Sequence, residues 1–150
     1  MIAWKCAPFG ELSAREVHDI LQARAAVFVV EQACAFQDVD GADPASWHLL
    51  GAEDGVLVAY CRLVPPGIKF PEASIGRVLT TEAARRKGLG RELMAEAMRR
   101  AHALWPGQAL RIGAQVYLDR FYGEFGFVQC SAPYDEDGIM HIHMLRPGKE

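Results

Sequence analysis

A basic turn with two glycines, at residues 85–91, is the part of this chain best suited to chemistry. It reads Arg-Arg-Lys-Gly-Leu-Gly-Arg, so cationic side chains surround two glycines at alternate positions. Glycine lacks a Cβ, and it lets the backbone turn tightly and expose its N–H groups. A helix that begins here adds unpaired first-turn N–H groups and the positive end of its dipole. The turn is therefore predicted to bind an anion, most naturally a phosphate or a pyrophosphate.

Two common phosphate-binding motifs do not fit this turn. A dinucleotide fingerprint would need a third glycine, but position 93 is Leu. A P-loop would need Gly-Lys-Ser/Thr, whereas Gly90 is followed by Arg91 and Glu92. In a purely structural alternative, Gly88 starts a helix and Gly90 relieves a close packing contact. The pattern that remains, Arg-x-x-Gly-x-Gly, resembles the acyl-CoA pyrophosphate loop of GNAT-type N-acetyltransferases.

The turn needs a strand before it and a helix after it, and the sequence predicts both. Residues 73–81 form an apolar strand, and residues 108–115 form another after the helix. The helix at 88–104 presents one apolar face: Leu89, Leu93, Met94, Ala97, Ala101 and Leu104. Because it joins two strands as a β-α-β unit, we expect the crossover to be parallel and right-handed.

The other elements predict a mixed sheet. A first strand covers residues 1–7, and a Ser13-x-x-Glu16 capping box starts a helix. Strands at 47–52 and 56–64 enclose an Asp-Gly hairpin turn. A short helix at 117–124 precedes strands near 126–132 and 139–146. The predicted fold class is α/β of the mixed α+β kind. It is GNAT-like, with a mostly antiparallel sheet, a central parallel β-α-β crossover and helices on both faces.

Composition limits the class of protein. The 150 residues, 51% hydrophobic and 23% charged, suit one globular domain spanning 1–150. A net charge of −3 argues against nucleic acid as a partner. The sequence shows neither an export signal nor a membrane span, so we expect a cytoplasmic protein that does not bind membranes. Four scattered cysteines are then expected to be reduced: Cys6, Cys34, Cys61 and Cys130.

A second segment extends the resemblance. In the GNAT family, the strand parallel to the pyrophosphate strand is followed by a short helix containing Tyr and then by a Gly-Phe step. Tyr122 followed by Gly126-Phe127 has this layout. The resemblance implies that Tyr122 is the general acid for the leaving thiolate, and a phenol with a pKa of about 10 is protonated at neutral pH. Without the resemblance, Tyr122 would be interpreted as a partly buried aromatic.

Four further segments resemble the ElaA subgroup of predicted acetyltransferases: residues 24–32, 38–43, 75–78 and 135–142. The likeness covers nearly the whole chain. It implies direct attack of a primary amine on the thioester of acetyl-CoA, with no metal. The implied acceptor is a small-molecule amine or a peptide or protein amine. The implied cofactor-binding residues are Val78, Leu79, Thr80, Arg85, Arg86, Lys87, Gly88, Leu89, Gly90, Arg91 and Gln115.

The base that deprotonates the amine has two candidates, Glu31 and His141. Each also has a structural interpretation, as a helix-end carboxylate and as a hydrogen-bonded strand histidine. A lysine-like ammonium has a pKa of about 10.4, so a base or a water chain is required. We expect a cationic amine or a peptide N-terminus as acceptor, because acidic residues could flank its site. These are Glu31, Asp38, Asp40, Asp43, Asp135, Glu136 and Asp137.

Several alternatives are open at this point. His141-x-His143 with His48 could form a metal site, but the ligand spacing does not support one. The aspartates of residues 38–43 partly match a calcium loop, although the glycine comes too early. The main functional alternative is a non-catalytic acyl-CoA-binding regulatory domain, against which Tyr122 argues because a sensor needs no thiolate acid. Exposed terminal strands predict a homodimer.

Overall fold

The strands and helices lie close to where the sequence predicts them. A computed structural model describes residues 1–86 and 88–149. The strands are β1 Ala3–Pro8, β2 Trp47–Glu53, β3 Val56–Val64, β4 Ser74–Thr80, β5 Leu110–Gln115, β6 Val128–Gln129, β7 Tyr134–Glu136 and β8 Ile139–Arg146. The helices are α1 Ala14–Arg24, α2 Leu89–Leu104 and α3 Asp119–Gly123. Single 3-10 turns occupy Phe9–Glu11, Asp43–Ala45, Glu82–Ala84 and Val116–Leu118.

Two antiparallel sheets meet at one point. The first has the order β1-β2-β3-β4, and the second has the order β5-β8-β6, with β7 also pairing with β8. They are joined by a parallel bridge between Ala73 and Leu110, where the Arg111 N–H donates to the Ala73 carbonyl at 2.9 Å. The predicted parallel crossover is therefore present, but it is reduced to this bridge. Beyond the bridge β4 and β5 separate, and this separation makes room for the site.

Helices cover both faces of the first sheet, as predicted. On one face, α2 packs Leu93, Met94 and Ala97 onto the side of β3 that carries Cys61 and Leu63. On the other face, α1 contributes Ile20 and Ala23 to a second cluster, which includes Leu50, Tyr60 and Leu79. Because alternate residues of a strand point to opposite faces, β3 is buried on both sides.

Local signals explain most element boundaries. The Ser13 hydroxyl accepts from the Glu16 N–H at 3.0 Å, and the Glu16 carboxylate accepts from the Ser13 N–H at 2.8 Å, so the predicted capping box forms. The β2–β3 turn has φ of 52° at Asp54 and 79° at Gly55, as a primed hairpin turn requires. The same Asp-Gly signal recurs at 137–138 and joins β7 to β8, in a hairpin that was not predicted.

Two predicted elements differ from the structure. The strand expected near 126–132 is ordered as a strand only at Val128–Gln129. A proline at position 133 and the turn around it separate this short strand from β7. The second difference follows α1, where a π-helix continues the chain over Ala25–Glu31. Such wide helices are rare, and they often lie at functional sites. The described residues include no helix that is both long and apolar enough to cross a membrane.

Candidate active site

An open cavity of about 630 Å³ lies between β4 and β5. Its other walls are the end of the π-helix, the turn at Val116–Leu118, α3 and the β7–β8 hairpin. Eight of the predicted site residues line this cavity: Glu31, Val78, Leu79, Thr80, Arg85, Gln115, Tyr122 and His141. Arg86, Gly88, Leu89, Gly90 and Arg91 lie outside the cavity lining, and Lys87 falls outside the described residues. The separation of the strands thus brings together side chains from distant parts of the sequence.

A bulge in β4 interrupts the sheet at the cavity. Tyr60 pairs with Leu79, but Arg62 pairs with Gly76, so the register slips between these positions. Arg77 has a φ of 51°, which is uncommon for a residue with a side chain. A bulge of this kind leaves backbone groups outside the ladder. Main-chain groups around position 78 are therefore available to a ligand in the cavity.

Buried arginines and aspartates lie behind the bulge. Arg24 contacts two carboxylates: its Nε donates to Asp38 at 2.9 Å and its Nη1 donates to Asp43 at 2.7 Å. Arg62 donates to both oxygens of Asp40, at 2.8 and 2.6 Å, and also to Asp43 at 3.0 Å. Both guanidinium groups are almost fully buried. Buried charges are stable only when they are paired in this way.

Arg77 and Lys69 complete this arginine–aspartate cluster. Arg77 Nε lies 2.9 Å from Asp38 Oδ1, its Nη2 donates to the Asp38 carbonyl at 3.0 Å, and its guanidinium lies over the ring of Phe36. Lys69 Nζ is 2.7 Å from Asp40. Burial alone would raise the pKa of Asp40, but the hydrogen bonds from Arg62 and Lys69 outweigh it and hold that pKa well below its usual range.

The cluster corrects one expectation from the sequence. Asp38, Asp40 and Asp43 were predicted to flank an acceptor site with free negative charge. In the structure they are largely buried and paired with cations, so they bring no net negative charge to the cavity. Their ion pairs connect the loop at residues 38–43 to α1, β3 and the bulged strand β4. The turn-like pattern gave no sign of these partners, because they are distant in sequence.

The glycine turn leads from β4 into α2. Gly88 is the N-cap of α2 and has a φ of 89°, where a side chain would be strained. Gly90 lies in the first turn of the helix, and a Cβ built on it would be 3.7 Å from the Phe121 ring, an ordinary contact distance. Packing therefore does not require a glycine at position 90. The alternative in which Gly90 relieves a close contact is wrong, and its bare backbone suits the close approach of a ligand.

Two arginines of the turn pair with glutamates on the surface. Arg91 donates to both oxygens of Glu124, each at 3.0 Å. Arg86 lies 3.3 Å from Glu53. These pairs are exposed, so their contribution to stability is small. The turn thus holds cationic groups that are only loosely neutralised.

The third arginine, Arg85, lies at the edge of the cavity. Its Nη1 is 2.8 Å from Glu31, and its Nη2 donates to the Thr80 carbonyl at 3.1 Å. Glu31 is the last residue of the π-helix, so this ion pair connects the end of that helix to the glycine turn. The helix-end interpretation of Glu31 is consistent with this contact.

Tyr122 lies on α3 and is 9% exposed. Its ring packs edge-on against Phe121 and Phe127, at centroid distances of 5.2 and 6.3 Å. Burial raises the pKa of Tyr122 to about 12. The phenol therefore stays protonated throughout the neutral range, and Tyr122, which lines the cavity, is a potential proton donor.

His141 lies on β8 and also lines the cavity. Its Nδ1 is 2.8 Å from the carbonyl of Ile139, which can only accept a hydrogen bond, so Nδ1 carries the hydrogen. Nε2 lies 3.4 Å from Glu136, and the ring stacks on Tyr134. In the neutral ring Nε2 then bears the lone pair. This tautomer is the one that can accept a proton on Nε2.

Gln32 and Cys34 are among the cavity-lining residues that sequence reasoning missed. Gln32 accepts a hydrogen bond from Gln115 at 3.3 Å, and Cys34 donates to the Asp137 carbonyl at 3.3 Å. Gln32 follows Glu31 in a segment that already resembled ElaA, so its neighbourhood was a usable signal. Within the described ranges there is no group of three or more His, Cys, Asp or Glu that could hold a metal. His48 instead bonds to Tyr60 at 2.7 Å.

Comparison with known proteins decides the family. Residues 16–146 match the acetyltransferase (GNAT) domain family. The chain belongs to the GNAT acetyltransferase family. Among curated GNAT relatives, a UPF0039 protein of Synechocystis is 45% identical over 145 residues, covering 96% of this chain and 94% of the relative. Protein ElaA of Escherichia coli is 40% identical over 148 residues, 97% of each.

Solved GNAT structures agree with this assignment. A crystal structure of an acyl-CoA N-acyltransferase from Pseudomonas aeruginosa has a TM-score of 0.93 at 41% identity, over 97% of this chain and 99% of that one. The crystal structure of E. coli ElaA has a TM-score of 0.91 at 40% identity, with the same coverage. The predicted GNAT fold and the ElaA-like subgroup are thus confirmed.

Proposed function

We propose that this GNAT protein is an N-acetyltransferase that transfers an acetyl group from acetyl-CoA to a primary amine by direct attack. The observation that carries the proposal is the cavity between the separated strands β4 and β5. Tyr122 and His141 line this cavity together with the bulged strand β4, and in the neutral ring Nε2 of His141 bears the lone pair. The glycine turn lies at the end of the same strand. An anion site and proton-transfer groups around one opening are what acyl transfer from a phosphate-bearing thioester requires.

The cofactor-binding roles follow from the positions of these groups. Acetyl-CoA supplies an acyl group activated as a thioester. Main-chain groups of Val78, Leu79 and Thr80 are positioned to pair with an extended ligand arm, as a sheet edge pairs with an added strand. An N–H near the bulge can hydrogen-bond the carbonyl oxygen, a contact worth about 3 kcal/mol when well placed. Gln115 orients the arm from β5.

The pyrophosphate belongs at the glycine turn. The backbone of residues 86–91, where it is bare of Cβ groups at Gly88 and Gly90, receives the phosphate oxygens. The cationic side chains of Arg85, Arg86, Lys87 and Arg91 offset its charge. Leu89 belongs to the same backbone turn, and its N–H donates to the Arg86 carbonyl at 3.3 Å.

Tyr122 and His141 carry the two proton transfers in this proposal. Tyr122 donates to the leaving sulfur, because its phenol is protonated and lines the cavity. Nε2 of His141 accepts the proton of the attacking amine, because the Ile139 carbonyl holds the hydrogen on Nδ1. Glu31, the other candidate base, forms an ion pair with Arg85, and we assign it the role of a charge beside the acceptor rather than that of the base. Catalysis by a well-placed acid or base accelerates such steps by about 10²–10⁴.

The acceptor is proposed at the level of its reacting group: a primary amine of a small molecule, peptide or protein. Residues 1–150 are proposed to act as one domain in the cytoplasm, without a metal. The homodimer expected from exposed terminal strands stays a prediction.

Calorimetry tests the proposal at its first step. The purified protein is titrated with acetyl-CoA, with ADP as a control anion, and then assayed for CoA thiol release against a panel of amines. We expect saturable one-to-one binding that is much tighter for acetyl-CoA than for ADP, followed by amine-dependent release. Binding without release to any amine would favour a regulatory acyl-CoA-binding domain. Absence of binding would remove the enzyme proposal.

A further inference from the structure

Arg85 is held by groups outside its own loop. Its ion pair with Glu31 and its hydrogen bond to the Thr80 carbonyl leave the side chain 42% exposed, and Glu31 is 30% exposed. Both residues line the cavity. The pair therefore spans the opening from the π-helix to the glycine turn.

The contact between Arg85 and Glu31 is a weak one. Exposed ion pairs contribute little because water and salt screen them. Arg91 makes two aligned hydrogen bonds to Glu124, whereas Arg85 divides its guanidinium between a carboxylate oxygen and a carbonyl. A guanidinium binds phosphate through parallel hydrogen bonds, and these are stronger than one contact to a carboxylate. A phosphate bound at the turn can therefore replace Glu31 as the partner of Arg85.

We propose that Arg85 exchanges its partner, so that Glu31 neutralises it in the empty cavity and a phosphate-bearing cofactor takes it over. This inference rests on the proposed function, since it assumes that the cofactor binds at the glycine turn. Glu31 is then a residue that sets cofactor affinity by competing for the arginine. Its carboxylate is left without that partner only when the cofactor is bound, and a negative charge then faces the cavity for a cationic amine.

Binding of CoA, measured by calorimetry, tests the exchange without any need for an acceptor. Glu31→Gln removes the competing charge, so the dissociation constant for CoA should fall about three- to fivefold. Glu124→Gln is the matched control: it removes an equal charge from another arginine of the turn that does not line the cavity. Its effect should stay below about 1.5-fold. In an Arg85→Gln background, Glu31→Gln should have no effect, since the arginine it competes for is absent.

The outcomes separate this inference from the proposed function. Failure of the wild-type protein to bind CoA would overturn both. Normal wild-type binding with no gain in Glu31→Gln, or with an equal gain in Glu124→Gln, would overturn the exchange alone. A gain that persists in the Arg85→Gln background would also overturn it. Thermal unfolding of each variant shows whether the fold is intact. Glu31→Asp keeps the negative charge but moves it away from Arg85, so its affinity for CoA should be intermediate.

Discussion

The arginine–aspartate cluster and the glycine turn are both rich in arginine, yet they hold their charges differently. In the cluster, Arg24 and Arg62 are buried and hydrogen-bonded to several carboxylates. At the turn, Arg85, Arg86 and Arg91 are exposed and paired with glutamates that contribute little stability. The first arrangement fixes the backbone around the β4 bulge, and the second leaves exposed cationic groups that we propose for phosphate binding. The two regions therefore differ in how deeply their ion pairs are buried, more than in how many charges they contain.

Breaking the cluster should have the largest effect. Asp43→Ala leaves the guanidinium groups of Arg24 and Arg62 short of a buried partner, and we expect the free energy of unfolding to fall by about 3–5 kcal/mol. Glu124→Gln, which breaks an ion pair at the turn, should leave stability unchanged. Urea denaturation of both variants measures the difference. Equal stabilities for the two would contradict the distinction between the regions.

A negative charge placed in the glycine turn should cause a large loss of affinity for CoA. Gly88→Asp adds a negative charge and strains a backbone with a φ of 89°, so the affinity for CoA should fall at least about tenfold. Gly67→Asp is a matched control, because Gly67 also has a positive φ, of 86°, and open space around it. Calorimetry on the two variants compares them. A similar loss in both would mean that strain, and not the phosphate site, explains the effect.

Gly90→Ala separates binding from stability. The added Cβ would meet the Phe121 ring at 3.7 Å, and alanine favours helices by up to about 1 kcal/mol over glycine, so stability should hold or rise. The affinity for CoA should nevertheless fall several-fold, because the methyl group occupies the approach to the backbone. Gly123→Ala, on α3 with open space, is the control and should leave affinity unchanged. Unchanged affinity in Gly90→Ala would remove the close approach proposed at this position.

The stability that the arginine–aspartate cluster contributes should be lost only at acidic pH. Hydrogen bonds from arginines lower the pKa of Asp40 and Asp43 in the folded protein, despite their burial. A carboxyl with a lowered folded pKa stabilises the protein above its unfolded pKa, and this stabilisation is lost as the pH falls through the folded value. The contribution of these residues should be constant from pH 7 to about pH 5 and decline below about pH 4. Denaturation midpoints across this range check it, and a decline beginning near pH 6 would point to other groups.

Local sequence signals predicted most of the fold. The capping box at Ser13, the Asp54 hairpin and the apolar face of α2 depend on neighbours within a few residues, so a pattern can reveal them. The cluster could not be predicted in this way, because Arg62 and Asp40 are distant in sequence and a turn-like aspartate pattern is common. The separation of β4 from β5 could not be predicted either, because it depends on how elements that are distant in sequence pack together.

The candidate site was predictable in part. The glycine turn and Tyr122 have local patterns that resemble the family. The tautomer of His141 depends on the Ile139 carbonyl, and the pairing of Glu31 depends on Arg85, so neither could be inferred without coordinates. The sequence therefore indicated candidate residues for the chemistry, and the structure shows which groups these residues contact.

Tyr122→Phe tests the central claim, that the cavity carries out acyl transfer, most directly. Steady-state thiol release gives kcat with an amine acceptor, and calorimetry gives the acetyl-CoA dissociation constant. The variant keeps the buried ring and loses only the hydroxyl, so we expect kcat to fall at least about 100-fold with the dissociation constant nearly unchanged. An unchanged kcat would contradict this mechanism and remove Tyr122 as the general acid.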